Sequence, residues 1–358
     1  MKIVISGYYG SGNAGDEAML DAILQLLREL NPNIEVTVIS VNPSDTRTRH
    51  NVNSIPHLNL FAVTKEIFSA DLLISGGGSL LQNVTSWRSL YYYLGVITLA
   101  IFLRRRVMLF AQGIGPIFGN FARGLTTFVL NRVDLITVRD RGSLVELSRL
   151  KVFKPRIECT ADPVLALRPV SLDFGHEILS NLNKDIHIGV AVRHWQDFKN
   201  FKLQLATALD NLCEEINAQI IFIPMQPSFD VTAAEEVAAA MKNSCTLLRD
   251  KYTTNQLLSI VGCMDILIGV RLHALIFAGV MKVPMVGISY DPKIDRFLDS
   301  IGEVPVGGID SLDSDQLVNA VMRNIHKIEE ESVAVDMSDL RELAKKSAIL
   351  ALDLIKTS

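Results

Sequence analysis

Apolar and polar residues alternate with two different periods along the first half of the chain. Residues 3–6 form a short apolar run that predicts a β-strand, whereas residues 16–30 repeat apolar side chains at helical spacing. The alternation continues, with strands predicted at residues 35–41, 71–75, 107–111 and 135–139 and helices at residues 91–103 and 122–132. Strands that alternate with helices indicate a parallel, doubly wound sheet.

The pattern lapses between residues 162 and 183 and then starts again. Further strands are predicted at residues 186–192, 219–223, 246–248, 266–270 and 283–289, with helices at residues 203–217, 232–242 and 274–281. We therefore predict an α/β protein of two Rossmann-like, doubly wound domains, at residues 1–168 and 186–335, that face each other across a cleft. Residues 169–185 are predicted to connect the domains, and residues 336–358 to form a C-terminal helix.

The composition is that of an ordinary globular protein. The 358 residues are enough for two domains, and 49% hydrophobic with 21% charged residues excludes the disordered and fibrous classes. A formal net charge of −4 disfavours nucleic acid as a partner, so an anion site must be built from locally placed Arg and Lys. The cysteines lack metal-ligand spacing, which indicates reduced thiols and no metal site: Cys159, Cys213, Cys245 and Cys263.

The longest apolar stretch, residues 91–103, ends at Arg104-Arg105-Arg106. It is shorter than the roughly 18 residues that a membrane-spanning helix needs, and the apolar run at the N-terminus is too short for a signal peptide. We expect a cytoplasmic protein in which residues 91–103 form a buried crossover helix. The alternative is a peripheral contact with anionic lipid at the inner membrane face, which gains weight if the substrate carries a lipid.

Three glycine-rich turns follow predicted strands of the first domain. Residues 10–15 match the Gly-x-Gly-x-x-Gly pattern of dinucleotide-binding loops. The next strand ends in Ser-Val-Asn without the acidic residue that would bind a ribose, so a nicotinamide or flavin cofactor is not expected. Together with the turns at Gly77 and Gln112, this loop predicts a surface for an extended polar ligand. Asn13 and Asp16, at the start of a helix, are either helix caps or ligand contacts.

The second domain carries basic residues and a histidine just after two predicted strands. Arg271 and His273 follow the strand at residues 266–269, and Lys293 follows the next strand, which ends near Ser289. Parallel strands open their C-terminal turns on one edge, where α/β proteins bind ligands. Two cations and a titratable imidazole at a helix N-terminus favour an anion. The pattern predicts a site for a small phosphorylated acid.

Two more arginines end predicted strands. Arg193 follows the first strand of the second domain, and Arg139 follows the strand that begins at residue 135. Both are expected to face the cleft, although a surface ion pair is the alternative for Arg139. Arg offers a bidentate fork for a phosphate or a carboxylate. Whether Arg193 or Arg271 would hold a phosphate stays open at this point.

Seven motifs follow one another along the chain: Gly7-Tyr8-Tyr9-Gly10, Asn13-Ala14-Gly15-Asp16-Glu17, Gly76-Gly77-Gly78, Gln112-Gly113-Ile114-Gly115, Val138-Arg139-Asp140, Asp162-Pro163 and Arg271-Leu272-His273-Ala274. Their order resembles that of the polysaccharide pyruvyl transferases. The opening motifs are similar to the CsaB-like bacterial branch, which modifies the cell-wall polymers that anchor S-layer proteins. The resemblance extends from residue 1 to about residue 301.

The resemblance implies a GT-B-like fold and an enzyme with phosphoenolpyruvate as co-substrate, without another cofactor. It also implies a ketal product, commonly pyruvate bridging positions 4 and 6 of an N-acetylmannosamine on a lipid-linked saccharide. By motif the catalytic residues are Arg139, His273 and Lys293, with Arg141 a poorer match than Arg139. The remaining expected contacts are Arg193, Arg271 and Ser289 for the donor and Asn13, Asp16, Gly77 and Gln112 for the acceptor.

Two other function classes compete with this one. A GT-B nucleotide-sugar glycosyltransferase would need an acidic residue for the ribose in the second domain, and no Glu follows His273 in the helix. A non-catalytic phosphosugar-binding module would have no reason to place a titratable histidine beside Arg271 and Lys293.

Overall fold

The computed structural model describes residues 1–182, 184–194, 199–329 and 337–356. The chain divides into two compact units. Unit one comprises Met1–Leu167 and Ser338–Ser358, and unit two comprises Arg168–Met337. The C-terminal helix, predicted as a segment of its own, therefore belongs to unit one.

Unit one is built on a parallel sheet of eight strands. In chain order they are β1 (Lys2–Ser6), β2 (Glu35–Ser40), β3 (Asn53–Pro56), β4 (Leu72–Ser75), β5 (Gly78–Leu81), β6 (Arg106–Ile114), β7 (Leu135–Val138) and β8 (Arg156–Cys159). Their order across the sheet is β3-β2-β1-β4-β6-β7-β8, with β5 paired to the end of β6. The direction of winding reverses between β1 and β4, where Ile3 lies opposite both Val36 and Leu72.

Unit two has a parallel sheet of five strands. They are β9 (Ile186–Ala191), β10 (Ala218–Phe222), β11 (Cys245–Leu247), β12 (Ile266–Gly269) and β13 (Met285–Gly287), in the order β11-β10-β9-β12-β13. Here the winding reverses between β9 and β12. The crevice at such a reversal is the usual ligand site of an open α/β sheet.

Helices follow nearly every strand. Those of unit one are α1 (Ala14–Leu30), α2 (Pro43–His50), α3 (Leu60–Phe68), α4 (Trp87–Phe102), α5 (Asn120–Leu130) and α6 (Arg141–Arg149). Those of unit two are α7 (Asp173–Leu179), α8 (Lys199–Glu215), α9 (Pro227–Ala238), α10 (Thr254–Gly262), α11 (Leu272–Met281), α12 (Pro292–Ser300) and α13 (Ser314–Glu329). The last helix, α14 (Ser338–Lys356), returns to unit one.

The predicted connection at residues 169–185 contains a packed helix. Gly175 of α7 donates its N–H to the hydroxyl of Ser259 in α10, 2.9 Å away. A Cβ at Gly175 would lie 2.5 Å from the Ser259 carbonyl oxygen, so only glycine allows this close approach. This part of the predicted linker is therefore wrong, and its helix belongs to unit two.

Helices α3, α4, α5 and α6 share one apolar core with the sheet of unit one. The prediction of a buried crossover helix at residues 91–103 holds for the inner side of α4, where Leu90, Leu94 and Ile97 are almost fully buried. The helix begins at Trp87, after a Ser86 cap, four residues earlier than predicted. Among the described helices, none is both long enough and apolar enough to span a membrane.

Candidate functional site

The carboxyl edge of the unit two sheet collects three of the predicted cations. Arg193 follows β9, Arg271 follows β12, and Lys293 lies in the first turn of α12, after β13. These strands are neighbours at the reversal of winding, so their turns open on one edge. The predicted anion site thus lies at the point where this fold class binds ligands.

Arg271 is held by a buried carboxylate. It is the N-cap residue of α11, and its Nε donates to Asp230 Oδ2 at 3.0 Å while its second nitrogen contacts Asp230 Oδ1. Asp230 is fully buried and also accepts from the backbone N–H of Gln226 at 2.8 Å. Because both Arg271 donors face a carboxylate with no exposure to water, this pair is a fixed part of the site.

Tyr290 stands at the centre of the cationic group. Arg193 donates to the Tyr290 hydroxyl at 2.7 Å, and Lys293 Nζ lies 5.3 Å from the ring centroid. Burial alone would raise the pKa of this phenol, but the charges of Lys293, Arg193 and Arg271 outweigh it and lower the pKa. The three cations therefore favour the ionised form of this phenol.

The start of α12 fixes Lys293. Asp291 caps this helix through the Lys293 N–H at 3.1 Å, and its other oxygen lies 3.5 Å from Lys293 Nζ. Ser289, a predicted donor contact, donates its hydroxyl to Asp295 at 2.7 Å and so ties the end of β13 to α12. A direct role for Ser289 in binding stays a prediction.

His273 lies in the first turn of α11, one residue after the start of the helix. The sequence pattern predicted that the helix begins at Ala274. In the structure it begins at Leu272, so the imidazole lies on the helix and not before it. Its Nε2 is shielded from water, whereas the side chain as a whole is only partly buried. The helix N-terminus and the neighbouring Arg271 make this a favourable place for an imidazole that acts beside an anion.

In unit one, the loop after β1 is held by the start of α1. Asn13 is the N-cap of α1, and its side-chain oxygen accepts from the N–H of Gly15 at 3.0 Å. Asp16 follows in the first turn, and a Cβ at Gly78 would come within 3.3 Å of its Oδ1. Asp16 therefore borders the glycine turn after β4, as an acceptor contact would require.

A buried histidine that sequence reasoning did not single out stiffens the same loop. His50, at the end of α2, places Nδ1 2.6 Å from Asp21 and Nε2 2.9 Å from Glu17. The other oxygen of Glu17 accepts from the backbone N–H of Gly10 at 2.8 Å. Burial lowers the pKa of His50, but the hydrogen bonds that its ring nitrogens donate to Asp21 and Glu17 prevail and raise it to about 9. The imidazole is therefore a buried cation that positions Glu17 and, through it, the loop.

Gln112 holds the glycine turn after β4 through hydrogen bonds. It lies inside β6 rather than in a turn after a shorter strand, because β6 continues to Ile114. The side chain is fully buried, donates to the Gly78 carbonyl at 2.7 Å and accepts from the Ser75 hydroxyl at 3.2 Å. This arrangement assigns Gln112 to positioning the turn, and its predicted contact with an acceptor stays a prediction. At Gly77 a Cβ would lie 2.9 Å from the sulfur of Met19, so the turn packs tightly on α1.

Arg139 is a buried partner of Asp162. Its guanidinium donates to Asp162 Oδ2 at 2.7 Å and to the hydroxyl of Ser79 at 3.1 Å, and both members of the ion pair are only 6% exposed. Asp162 in turn accepts from the N–H of Val164 in the short 3-10 turn that follows. The alternative of a surface ion pair is therefore wrong. Arg139 does form an ion pair, but with Asp162 in the interior. Arg141, by contrast, is exposed at the start of α6.

The structure places the predicted residues in two groups, Arg193, Arg271, His273, Ser289 and Lys293 in unit two and Asn13, Asp16, Gly77, Gln112 and Arg139 in unit one. Asp230, Tyr290 and the His50–Glu17 pair were given no role from the sequence. The sequence feature that could have identified Tyr290 is its position just before Asp291-Pro292, where a helix begins, and close to Lys293. Among the described residues, no three His, Cys, Asp or Glu side chains group as metal ligands.

A family model for polysaccharide pyruvyl transferases matches residues 13–292, which includes every residue of both groups except Lys293. This chain belongs to that family. Over 430 aligned residues it is 21% identical to the amylovoran biosynthesis protein AmsJ of Erwinia amylovora, with all of both chains covered. Membership of this family identifies the protein as an enzyme that transfers a pyruvyl group to a polysaccharide.

Solved structures share this fold at low sequence identity. The chain is 11% identical to a putative UDP-N-acetylglucosamine 2-epimerase from Listeria monocytogenes, with a TM-score of 0.71 and coverage of 99% and 96%. It is 12% identical to Anabaena HepE in complex with UDP-glucose, with a TM-score of 0.65 and coverage of 100% and 98%. These likenesses confirm the predicted GT-B-like fold of two doubly wound α/β domains, and at this identity they describe the fold alone.

Proposed function

We propose that this pyruvyl transferase uses phosphoenolpyruvate as its donor and forms a ketal on one sugar of a lipid-linked saccharide, releasing phosphate. The observation that carries the proposal is the cationic group of Arg193, Arg271 and Lys293 around Tyr290, beside the helix that bears His273. Phosphoenolpyruvate carries a phosphate and a carboxylate on three carbons. A compact group of cations at a sheet edge is suited to both anions.

The proposed reaction begins with proton transfer to the methylene carbon of phosphoenolpyruvate, with His273 as the acid. The resulting cationic C2 is attacked by one sugar hydroxyl, which loses its proton. The bond between C2 and the phosphate oxygen then breaks, and phosphate leaves with the electron pair. The second hydroxyl adds to the regenerated C2 cation and loses its proton, which closes the ketal ring. Two hydroxyl protons are released. One replaces the proton that His273 gave to the new methyl group, and the other protonates the departing phosphate.

The side chains contribute position and charge. Arg193 and Lys293 hold the donor phosphate and stabilise the charge that develops on it as it leaves. Arg271, fixed by Asp230, adds positive potential and orients the start of α11. In unit one, Asp16, Asn13 and the turn at Gly77 form the acceptor surface, supported by Gln112 and Arg139. We assign no resident cofactor or metal to these steps.

The acceptor that we propose is an N-acetylmannosamine, bridged at positions 4 and 6, in a cell-wall precursor of the kind that anchors S-layer proteins. Such a precursor is made at the inner face of the plasma membrane, where the enzyme would work from the cytoplasm. The family membership supports a saccharide acceptor, and the resemblance to CsaB-like enzymes suggests the sugar.

Phosphate release in the presence of a lipid-linked disaccharide that ends in N-acetylmannosamine tests the donor. With phosphoenolpyruvate we expect stoichiometric phosphate and a product heavier than the acceptor by one pyruvyl group. The variants His273→Ala and Lys293→Ala should lose at least about a hundredfold in rate, the usual scale for a general acid or a charge-stabilising group. Transfer of a hexose from UDP-glucose or UDP-N-acetylglucosamine, with no reaction of phosphoenolpyruvate, would establish the glycosyltransferase instead.

A further inference from the structure

The outer surface of α3, α4 and α5 carries large exposed aromatic side chains. Large aromatic side chains on these helices are between 55% and 82% exposed, and we call them the aromatic face: Phe61, Phe68, Trp87, Phe102, Phe121 and Phe128. On α14, of similar length to α4, the exposed positions include Asp339, Glu342, Asp353 and Lys356. An extended exposed apolar surface of this kind marks an interaction site.

The three helices form one continuous layer. They share a core cluster, and ring contacts link the starts of α4 and α5. Trp87 lies 5.9 Å from Tyr91 between ring centroids, and Tyr91 lies 6.2 Å from Phe121, which joins the starts of α4 and α5. On the other side of α4, the Tyr92 hydroxyl donates to the His57 carbonyl at 3.1 Å, which joins α4 to the turn before α3.

The charge on this surface is mainly positive. Residues 72–133 contain six arginines and no Asp, Glu or Lys, in a chain whose net charge is −4. Three arginines lie over aromatic side chains of the face, with guanidinium-to-centroid distances of 5.6 Å (Arg88 on Trp87), 5.2 Å (Arg105 on Phe68) and 3.5 Å (Arg132 on Phe128). Glu66 of α3 is neutralised by Lys2, 2.9 Å away. The partner of this surface must therefore be both apolar and anionic.

We propose that the aromatic face docks on an anionic lipid bilayer. Exposed Trp and Phe beside Arg, with Glu66 as the one acidic residue of α3, α4 and α5, is the composition of surfaces that insert aromatic rings at headgroup level and meet anionic lipid. The buried side of α4 does not take part, so the contact differs from an insertion of the apolar helix itself. Because α4 and α5 begin at the sheet edge that carries the glycine turns, docking presents a saccharide on a membrane lipid to those turns. That last consequence rests on the proposed function, whereas the lipid binding does not.

Flotation of the full-length protein with vesicles tests the proposal. Vesicles of phosphatidylcholine mixed with phosphatidylglycerol should carry the protein upward, and added salt should release it because the arginine contribution is screened. Phosphatidylcholine alone should retain much less. The double variant Trp87→Ser/Phe121→Ser should bind the mixed vesicles on the order of tenfold more weakly for each side chain removed. Arg88→Ser/Arg132→Ser should bind about fivefold more weakly for each arginine.

A matched control uses exposed apolar residues of unit one on other helices. Leu30→Ser/Ile349→Ser, on α1 and α14, removes side chains that are 47% and 46% exposed and should leave vesicle binding unchanged. No binding of the wild-type protein to mixed vesicles, or equal loss in the control variant, would overturn the proposal. So would sedimentation of the wild type as a dimer that Trp87→Ser/Phe121→Ser converts to a monomer, since a second copy would then cover the face.

Phosphate release measured on the same variants separates this proposal from the proposed function. With a water-soluble saccharide acceptor, the aromatic variant should match the wild type, whereas with the lipid-linked acceptor in mixed vesicles its rate should fall with its binding. A wild type that floats with vesicles but releases no phosphate would remove the proposed function and leave the membrane surface standing.

Discussion

Arg193 and Arg271 follow neighbouring strands, yet they have different partners. Arg271 is paired through two nitrogens with Asp230, a carboxylate without exposure to water. Arg193 donates to the phenol of Tyr290. A phosphate can take the place of a phenol oxygen at low cost, but displacing a buried carboxylate would leave that charge unpaired. We therefore propose that Arg193 binds the donor phosphate and that Arg271 has a supporting role.

The variants Arg193→Ala and Arg271→Ala should separate binding from stability. Losing a charge-assisted hydrogen bond of about 1.5–3 kcal/mol should raise the KM for phosphoenolpyruvate roughly tenfold to a hundredfold in Arg193→Ala, with unfolding of unit two little changed. Arg271→Ala leaves Asp230 unpaired and should destabilise unit two by about 3–5 kcal/mol. Arg249→Ala, which breaks an exposed pair with Glu235 in the same unit, is the control. A normal KM in Arg193→Ala would contradict the assignment.

The pKa of Tyr290 reports on the charges of the cationic site. Since Lys293, Arg193 and Arg271 lower its pKa in spite of burial, one phenol should ionise at lower pH than an ordinary tyrosine. A spectrophotometric titration should show this early step in the wild type and lose it in Tyr290→Phe. In Lys293→Ala the same step should move to higher pH. An early step that persists in Tyr290→Phe would belong to another tyrosine and would argue against the site.

At the scale of the element, α1, α2 and the loop after β1 are joined by the buried His50 cation. Its contacts with Asp21 and Glu17, and that of Glu17 with the Gly10 N–H, hold the loop at the reversal of winding. The sequence pattern did not show α2 because its eight residues, PSDTRTRH, are all polar apart from the first, and an amphipathic repeat is absent. Asn42 at the cap and Pro43 at the first helical position were the available signals.

The stability of unit one should depend on pH through His50. Its pKa in the folded protein, about 9, lies above the ordinary 6.5, so the folded state holds a proton that the unfolded state releases first. The contribution, about 3 kcal/mol for this shift, is fully present below pH 6.5 and is lost as the pH rises through 9. Denaturant unfolding across this range, with amide exchange of the loop after β1, should show the loss in the wild type. A His50→Gln variant should be less stable at low pH and lack this dependence, and an unchanged profile would contradict the role of His50.

Elements with a clear apolar pattern were predicted well, and elements without one were not. Helix α1 begins two residues before the predicted start, and strands β9, β10 and β12 end within one or two residues of prediction. By contrast, β5 lies in a glycine-rich run that had been predicted as turn, and it forms because Gly78 and Leu81 pair with the end of β6. Local patterns cannot reveal this pairing, since the partner strand is remote in sequence.

At the scale of the whole molecule, the sequence was sufficient for the two-unit architecture and for the family. Strand ends in a parallel sheet share an edge, so Arg193, Arg271 and Lys293 could be placed together from their positions alone. What could not be predicted was which cations are already paired. Arg139 with Asp162 and Arg271 with Asp230 are 23 and 41 residues apart in the chain, and only folding shows that these pairs are buried. The packing of α14 on unit one could not be predicted either. The rest of that unit ends at Leu167, and 170 residues of unit two separate it from α14.

The product made from C2-labelled phosphoenolpyruvate distinguishes ketal formation from other transfers. We expect NMR of the isolated saccharide to find the label in a quaternary carbon that carries a methyl group and a carboxylate. That carbon should be bonded through oxygen to two positions of one sugar, with one phosphate released for each ketal. A product that carries the label as an ester or an enol ether on a single oxygen, or a saccharide extended by a hexose and free of label, would contradict it.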